Sequence, residues 1–500
     1  MDFLSIDLGT STIKAGLVSE AGEILGLVKR ESPISLQGNL VEFDLEEGWK
    51  RVVSSIREVV TISGVNPVEI GGLSVTCQGQ TFVALDDHYC PMRNAIVWLD
   101  KRAVKERDEI LATFQEDQIY AHTGIVLLSP GMMICCLGWM RSHEPEIYQQ
   151  ARYFVHIADY ILYRLSGQLI AERAIYYCSG LYDITADTWW MDMFDYLDLS
   201  PSKLPPLFDS PISISTLTPQ AARETGLNQS MQVVSGALDV VASVVGAGAI
   251  MEDKVMLNLG TTMQTMMTIF DIKQLLPKRK VSIFGHVLVG ANVGVLWRET
   301  AGFSLRWFRD AFCGEEMKIA AETGMDVYDL ILSTAEKIPA GSDGLLFLPN
   351  LQGTMLPESH PEARGVTWGI SPSHTKAHFV RAILEGNAYM LRENLEIMKQ
   401  LGFTFNEIVA TGGGTRSRLW NQINADVTGT SLHLLQCNDS SVLGAAIFAA
   451  YGTGLYESIA EGCQRMVHKA NLVTPDPFPQ PAYDEGYRRY KTLFQATTSL

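Results

Sequence analysis

One stretch near the start limits what this chain can fold into. Phe3-Leu4-Ser5-Ile6-Asp7-Leu8 is a mostly apolar run that carries an acid, Gly9-Thr10-Ser11-Thr12 follows, and Ile13-Lys14-Ala15-Gly16-Leu17-Val18 is mostly apolar again. This is the pattern of a strand, a tight turn and a second strand. Gly9 lacks a Cβ, so backbone can approach a ligand closely there. Thr10 and Ser11 offer hydroxyls and N–H groups suited to phosphate oxygens, and Asp7 offers a carboxylate suited to Mg²⁺, which prefers oxygen ligands. The pattern recurs 251 residues on, about half the chain away: Val255-Met256-Leu257-Asn258-Leu259 runs into Gly260-Thr261-Thr262, then Met266-Met267-Thr268-Ile269. Self-similarity at half length points to two related domains. Each would carry one phosphate loop, with a polyphosphate in the cleft between them. An isolated Gly-Thr-Ser turn is an ordinary hairpin; the acid ahead of it and the recurrence favour a nucleotide site.

Five hundred residues exceed one ordinary core, so two or more domains are expected. A net charge of −17 argues against nucleic acid, whose phosphates need basic partners, and against anionic membrane surfaces. The eight cysteines form no CxxC pair and the ten histidines complete no zinc spacing, which suggests free, mostly buried thiols in a reducing compartment. No basic segment leads into an apolar core at the N-terminus, so no signal peptide is expected. The apolar run from Met231 to Met251 has roughly the length of a bilayer span. It carries Gln232 and Asp239 and is broken by Gly236, Gly246 and Gly248, so a strand, a turn holding Asp239 and a buried small-residue helix fit better.

Taken in order, Asp44 is a candidate N-cap for a helix from residue 45 to about 60, with Glu47 in the capping-box position. Ile70 to Thr76 reads as a buried strand running through Gln78-Gly79-Gln80-Thr81-Phe82 into another. Trp98, Asp100 and Arg102 lie at a strand end, where α/β folds bind ligands. Helices are expected over 139–148, 156–165, 301–310 and 378–401, and the aromatic cluster 189–194 reads as core. A strand at 408–411 then enters Gly412-Gly413-Gly414 and a helix, a place where backbone can approach a flat ring or a phosphate. Ser441-Val442-Leu443-Gly444-Ala445-Ala446 reads as a helix built for tight packing. Asp239, an acid among apolar residues, needs a partner or a role. It is placed to accept a proton from a hydroxyl attacking a γ-phosphate, or to cap the helical run 240–250.

With these residues in place the chain resembles the FGGY carbohydrate kinases over nearly its whole length. The resemblance runs through Asp7-x-Gly9-Thr10-Ser11, Glu42 with Trp49, Gly79-Gln80, Trp98-x-Asp100-x-Arg102, His143-Glu144-Pro145-Glu146 and Asp159-Tyr160. It continues through Leu259-Gly260-Thr261-Thr262, Phe347-Leu348-Pro349, His378 to Glu385, Gly412-Gly413-Gly414-x-Arg416-Ser417 and Leu443-Gly444-Ala445-Ala446. It implies an α/β fold of two actin-like ATPase (ribonuclease H-like) domains with a cleft between them. Residues 1–248 would carry the sugar site, the first phosphate loop and the catalytic acid. Residues 249–500 would carry the second phosphate loop and the adenosine site. It implies ATP- and Mg²⁺-dependent phosphorylation of a small sugar or polyol, xylulose-like first, with Asp239 as general base and Asp7 toward the metal. Gly9, Thr10, Ser11, Lys14, Gly260, Thr261, Thr262, Gly413, Gly414 and Asn421 are the nucleotide candidates. Gln80, Thr81, Phe82, Trp98, Asp100 and Asp239 are the substrate candidates.

The departures fall where selectivity is set. Xylulose-like members carry Gln-Met-His where this chain has Gln80-Thr81-Phe82; the residue after the acid is Val240 rather than Asn or Gln; and Cys136 replaces a Lys. Fewer polar contacts suggest a substrate with fewer hydroxyls, or a more apolar group, than D-xylulose. A cytoplasmic enzyme, homodimeric by family analogy, is the leading expectation. The alternatives are a catalytically weak ATP- or sugar-binding regulator on the same fold and a chaperone-like ATPase of the same superfamily.

Overall fold

The computed structural model describes residues 1–356 and 358–498. The chain divides into two compact units. The first comprises Met1–Ile250, Thr268–Gly294 and Asp439–His468, and the second Met251–Met267, Val295–Asn438 and Lys469–Leu500.

The first unit is built on a six-stranded sheet. Strands β1 (Asp2–Leu8) and β2 (Thr12–Ser19) form the expected hairpin, antiparallel with Leu8 opposite Ile13, and β3 (Ile24–Glu31) continues it. On the other side β1 pairs in parallel with β4 (Ile70–Cys77). Beyond that edge, β5 (Ser213–Thr216) lies antiparallel to β6 (Gln232–Val234), and β6 is parallel to β4. Phe3, Leu4 and Ile6 are fully buried, the near-continuous apolar pattern of a strand covered on both faces. Helix α1 (Leu45–Ser63) packs on β2 and β3 through Val52, Ile56 and Val59. Its cap is as expected: Asp44 accepts from the Glu47 N–H at 2.9 Å. Glu47 spends its own carboxylate on Arg51, one turn along.

The helix expected over 139–148 is two helices. One, α2 (Met133–His143), ends at Glu144, and a short helix begins at Pro145. Proline lacks the N–H to continue a helix and fits its first turn. The aromatic cluster is core as expected, with Trp190, Met193 and Phe194 buried. The Met231–Met251 run resolves into β6, a loop and helix α3 (Asp239–Gly246). Among the described residues no helix is long and apolar enough to cross a membrane.

The second unit repeats the plan. Strands β7 (Lys254–Leu259) and β8 (Met263–Ile269) are an antiparallel hairpin; β7 is parallel to β9 (Glu407–Thr411), β9 is parallel to β10 (Ser431–Leu435), and β10 is antiparallel to β11 (Lys469–Val473). The order β2-β1-β4-β6-β5 and the order β8-β7-β9-β10-β11 therefore share one sequence of antiparallel and parallel pairings. The half-length echo in the sequence is a duplicated sheet. Helix α4 (Lys376–Gln400) is the long helix of this unit, and α5 (Arg418–Thr428) packs against it.

Helix α6 (Ser440–Gly452) belongs to the first unit and crosses α3 there. The crossing is glycine on backbone. A Cβ on Gly444 would sit 1.8 Å from the Ala242 carbonyl oxygen, and one on Gly246 would sit 2.0 Å from that of Ser440. Small residues let the two helices approach this closely, so Gly444→Ala forces them apart. Overpacking of this kind costs about 1–3 kcal/mol, and a urea titration should show the unfolding free energy of the variant falling by that amount, with a lower midpoint. An unchanged midpoint would mean that the crossing tolerates a side chain.

Candidate active site

The first loop closes as a compact turn. The Gly9 N–H donates to the Thr12 carbonyl at 3.1 Å, and a Cβ on Gly9 would press on that same oxygen at 2.8 Å. Asp7 sits at the end of β1, 3% exposed, opposite Lys14 on β2. One of its oxygens, Oδ2, accepts from Ser441 Oγ at 2.7 Å and lies 3.1 Å from Lys14 Nζ. The other, Oδ1, is buried with no partner. Lys14 also faces Asp439 at 3.6 Å. Burial works against its ammonium, yet Asp7 and Asp439 outweigh that and hold its pKa above the usual lysine value. Lys14 is thus spent on two carboxylates.

Asp239 opens α3. It is not the cap expected of it: Leu238 holds the cap position, and Asp239 is the first helical residue, with Oδ1 accepting the Val240 N–H at 2.7 Å. Strand β4 fixes the segment before it, since Thr76 Oγ1 donates to the Ala237 carbonyl and the Cys77 N–H reaches the same oxygen at 3.3 Å. Gly236 is needed there because a Cβ would sit 1.9 Å from the Val75 oxygen. Burial pushes the Asp239 carboxyl up to about 7, and the like charge of Asp7 adds to the rise. The Val240 N–H and Lys14 oppose it. An acid tuned near neutral pH is the form in which a carboxylate serves as a proton acceptor.

The substrate candidates part company. Trp98 is 41% exposed, and its indole Nε1–H donates to Thr10 Oγ1 at 2.9 Å. Asp100 is buried and spends both oxygens locally: Oδ2 accepts from the Val41 N–H and Arg102 Nη2, and Oδ1 from the Arg102 N–H and Nε. It shapes the loop that presents Trp98. Gly131 supports that loop from below, since a Cβ would lie 1.9 Å from the Trp98 carbonyl oxygen. Gln80 has a left-handed backbone, φ 66°, and a buried Oε1 without a partner. Thr81 and Phe82 are core residues; Phe82 pairs with His156 across a small five-stranded sheet, its ring edge-on to Phe154. Cys136 is fully buried on α2, donating weakly to the Pro130 carbonyl.

In the second unit the loop is one residue shorter. Leu259 is paired with Met263, and the Gly260 N–H donates to the Thr262 carbonyl at 3.0 Å. Thr261 and Thr262 are exposed. Asn258 stands where Asp7 stands in the first loop and donates to Gln264. The three glycines after β9 lie against this loop. Gly412 (φ 94°) and Gly414 each leave a Cβ no room beside Leu259, whereas Gly413 faces open space. The last two glycines open a short 3₁₀ turn, Gly413–Arg416, that precedes α5, and Ser417 caps that helix. Asn421 is buried and holds the glycine turn by donating to the Thr415 carbonyl at 2.7 Å.

Ser441, Asp439 and Gln78 are members of the first-loop constellation that sequence reasoning missed. Gln78 follows the buried strand and Ser441 opens the small-residue helix, and neither carries a motif of its own. Ser441 and Asp439 reach Asp7 and Lys14 from more than four hundred residues away, which no local pattern reports.

Models of the N-terminal and C-terminal domains of the FGGY family of carbohydrate kinases match residues 3–246 and 300–453. The chain belongs to this family. It is 29% identical over 498 residues to the xylulose kinase of Bacillus subtilis (strain 168), covering 99% of this chain and 97% of that one. It is 28% identical over 507 residues to the autoinducer-2 kinase of Escherichia coli (strain K12), covering 99% and 94%. The crystal structure of xylulose kinase from Rhodospirillum rubrum superposes with a TM-score of 0.88 at 27% identity, covering 99% of each chain. The fold is thus the two-domain α/β fold of the FGGY kinases, and the protein is a carbohydrate kinase acting on a small-molecule sugar substrate.

Proposed function

We propose that the protein transfers the γ-phosphoryl group of ATP to a hydroxyl of a small ketose or polyol, xylulose-like or less hydroxylated, with Asp239 as general base. The observation that carries this reading is the pairing of two unlike acids in one unit. Asp7 is held by Lys14 and Ser441 with one oxygen uncommitted, and Asp239 is held near neutral pKa by burial and by Asp7. Environments that set two carboxyls to different tasks mark acid–base assignments. Asp239 takes the proton of the substrate hydroxyl while that oxygen bonds to the γ-phosphorus and the bond to the ADP oxygen breaks. Backbone N–H groups at Thr10, Ser11, Thr261 and Thr262, with the hydroxyls of Ser11, Thr261 and Thr262, are the candidate phosphate contacts, on turns that the Gly9 and Gly260 N–H groups close. Gly413 offers an open backbone face to the adenosine.

Mg²⁺ fits the buried, unpartnered Asp7 Oδ1. Held there, the ion would take one carboxylate oxygen together with phosphate oxygens and water. When bound it would neutralise phosphate charge. Ser441 keeps Asp7 Oδ2 fixed so that Oδ1 stays free. Partners that orient a ligand carboxylate in this way are worth about 10–100-fold in affinity. Ser441→Ala should weaken Mn²⁺ binding in the presence of ADP by that factor, read by electron paramagnetic resonance.

Thr81 and Phe82 are buried in the core, so neither side chain supplies a direct hydrogen bond to a sugar hydroxyl. The two relatives, 29% and 28% identical, carry different substrate names, so the substrate panel includes both kinds of compound. Coupled ADP release would be followed over D-xylulose, its deoxy analogues, short polyols and autoinducer-2. Turnover of one compound, lost in Asp239→Asn, supports the reading; ADP release that no acceptor stimulates and phosphate found only in water would overturn it.

A further inference from the structure

We propose that Trp98, Thr10 and Gln78 form a directional relay through which the Trp98 loop sets the hydroxyl of the first phosphate loop. This rests on the kinase reading, in which Trp98 faces substrate and Thr10 faces phosphate. The relay has two short links: Trp98 Nε1 to Thr10 Oγ1 at 2.9 Å, and Thr10 Oγ1 to Gln78 Oε1 at 2.6 Å. Its direction is fixed by chemistry. An indole N–H can only donate, so Thr10 must accept from Trp98 and turn its own proton toward Gln78. The hydroxyl then keeps one lone pair for a further donor and no proton for a phosphate oxygen.

Both ends of the relay are anchored. The Trp98 loop is clamped by Asp100 onto Val41 and Arg102 and is backed by Gly131. Gln78 is 2% exposed, and its backbone N–H donates to the Leu8 carbonyl at 3.0 Å, tying it to the end of β1 beside Gly9. It follows Cys77, which bridges Leu238, the neighbour of Asp239. Gln78 Nε2 is buried with no partner. The relay thus joins the exposed Trp98, the phosphate loop and the strand tip that holds the Asp239 segment. Movement of Trp98 must either carry Thr10 with it or break a bond. A phosphate that claims the Thr10 proton must break the link to Gln78 and rotate the hydroxyl, which moves the lone pair that holds the indole.

The test needs no sugar. The protein has nine tryptophans; 5-fluorotryptophan labelling gives fluorine resonances among which Trp98 is assigned by its loss in Trp98→Phe. Titration with Mg·AMP-PNP should move the Trp98 resonance in the native protein and in Thr10→Ser, which keeps the hydroxyl. In Thr10→Val it should stay within its linewidth. A Trp98 resonance that stays fixed while calorimetry shows nucleotide saturation overturns the relay, as does an equal shift in Thr10→Val. Failure of the native protein to bind nucleotide overturns the kinase reading and the relay together. If Thr10→Val itself does not hold nucleotide, Trp98→Phe decides the matter. With the indole donor gone the Thr10 hydroxyl can turn its proton from Gln78 to a phosphate oxygen, so Mg·AMP-PNP should bind about tenfold more tightly, and an affinity within twofold of native would overturn the relay.

Discussion

Asp239→Asn should lower kcat by about 10²–10⁴-fold, the range that general-base catalysis contributes, while leaving nucleotide affinity nearly unchanged. Asparagine keeps the oxygen that accepts the Val240 N–H, so the start of α3 is preserved and only the proton acceptor is lost. The pH profile gives a second, independent reading. The carboxyl is pushed up to about 7 by burial and then by Asp7, and the base works only when ionised. In the native enzyme kcat/KM should therefore fall tenfold per pH unit below about 7 and level off above it. The residual activity of the variant should lack that limb. Stability moves the other way. Folding disfavours the ionised form of this carboxyl, so the stability it contributes is complete below about pH 4, the ordinary aspartate value, and is lost as pH rises through about 7. Asparagine never ionises, so at pH 8 the variant should melt at or above the native temperature. Lower stability at pH 8 would mean that the loss of turnover reports misfolding.

The two hairpins were legible because their signal is local. Apolar runs around a Gly-Thr turn specify strand, turn and strand wherever they occur, and the duplicated sheet follows from the second copy. Element boundaries were less legible where two local signals compete. Helical spacing runs from Trp139 to Tyr148, but Pro145 ends one helix and starts another. Asp239 reads as a cap by residue type, whereas Leu238 takes the cap conformation because β4 and Gly236 fix the chain just before it. The glycine triplet promised a direct entry into a helix. The backbone instead makes a 3₁₀ turn first, held by Asn421, and Ser417 supplies the cap.

The candidate site was legible residue by residue and not in its connections. Asp7, Lys14 and Thr10 stand in one short stretch, but what each does depends on Ser441, Asp439, Trp98 and Gln78, which arrive from other elements. Asp100 shows the opposite case. Its place in a motif at a strand end suggests substrate contact, and only the full set of hydrogen bonds shows both oxygens committed to Val41 and Arg102. A sequence gives the donors and acceptors; the fold decides which of them remain free.

The other large effect expected lies in the second unit, on the helix whose sequence His378 to Glu385 carried part of the family resemblance. Arg381→Ala should destabilise the protein by about 3–5 kcal/mol, the cost of stranding one charge of a buried pair. Arg381 Nε donates to Glu385 Oε1 at 2.9 Å and its Nη2 to the Tyr483 hydroxyl; all three residues are buried. Glu385 also accepts from the Gly341 N–H at 3.0 Å and from Ser342 Oγ at 2.8 Å. That second pair of bonds holds a turn in which Gly341, Ser342 and Asp343 all have positive φ, 84°, 50° and 51°. The left-handed region costs residues with a Cβ about 1 kcal/mol or more each, so the turn needs Glu385 in place. Burial holds the Glu385 carboxyl above the ordinary glutamate value even with Arg381 beside it; without the arginine it rises further. The deficit of Arg381→Ala should therefore grow as pH rises above the ordinary glutamate range and shrink as pH falls back toward it. Glu385→Gln added to Arg381→Ala removes the stranded charge and keeps an acceptor for Gly341. The double variant should recover much of the urea midpoint at pH 8. A deficit independent of pH, or no recovery in the double variant, would show that Arg381 acts through packing alone.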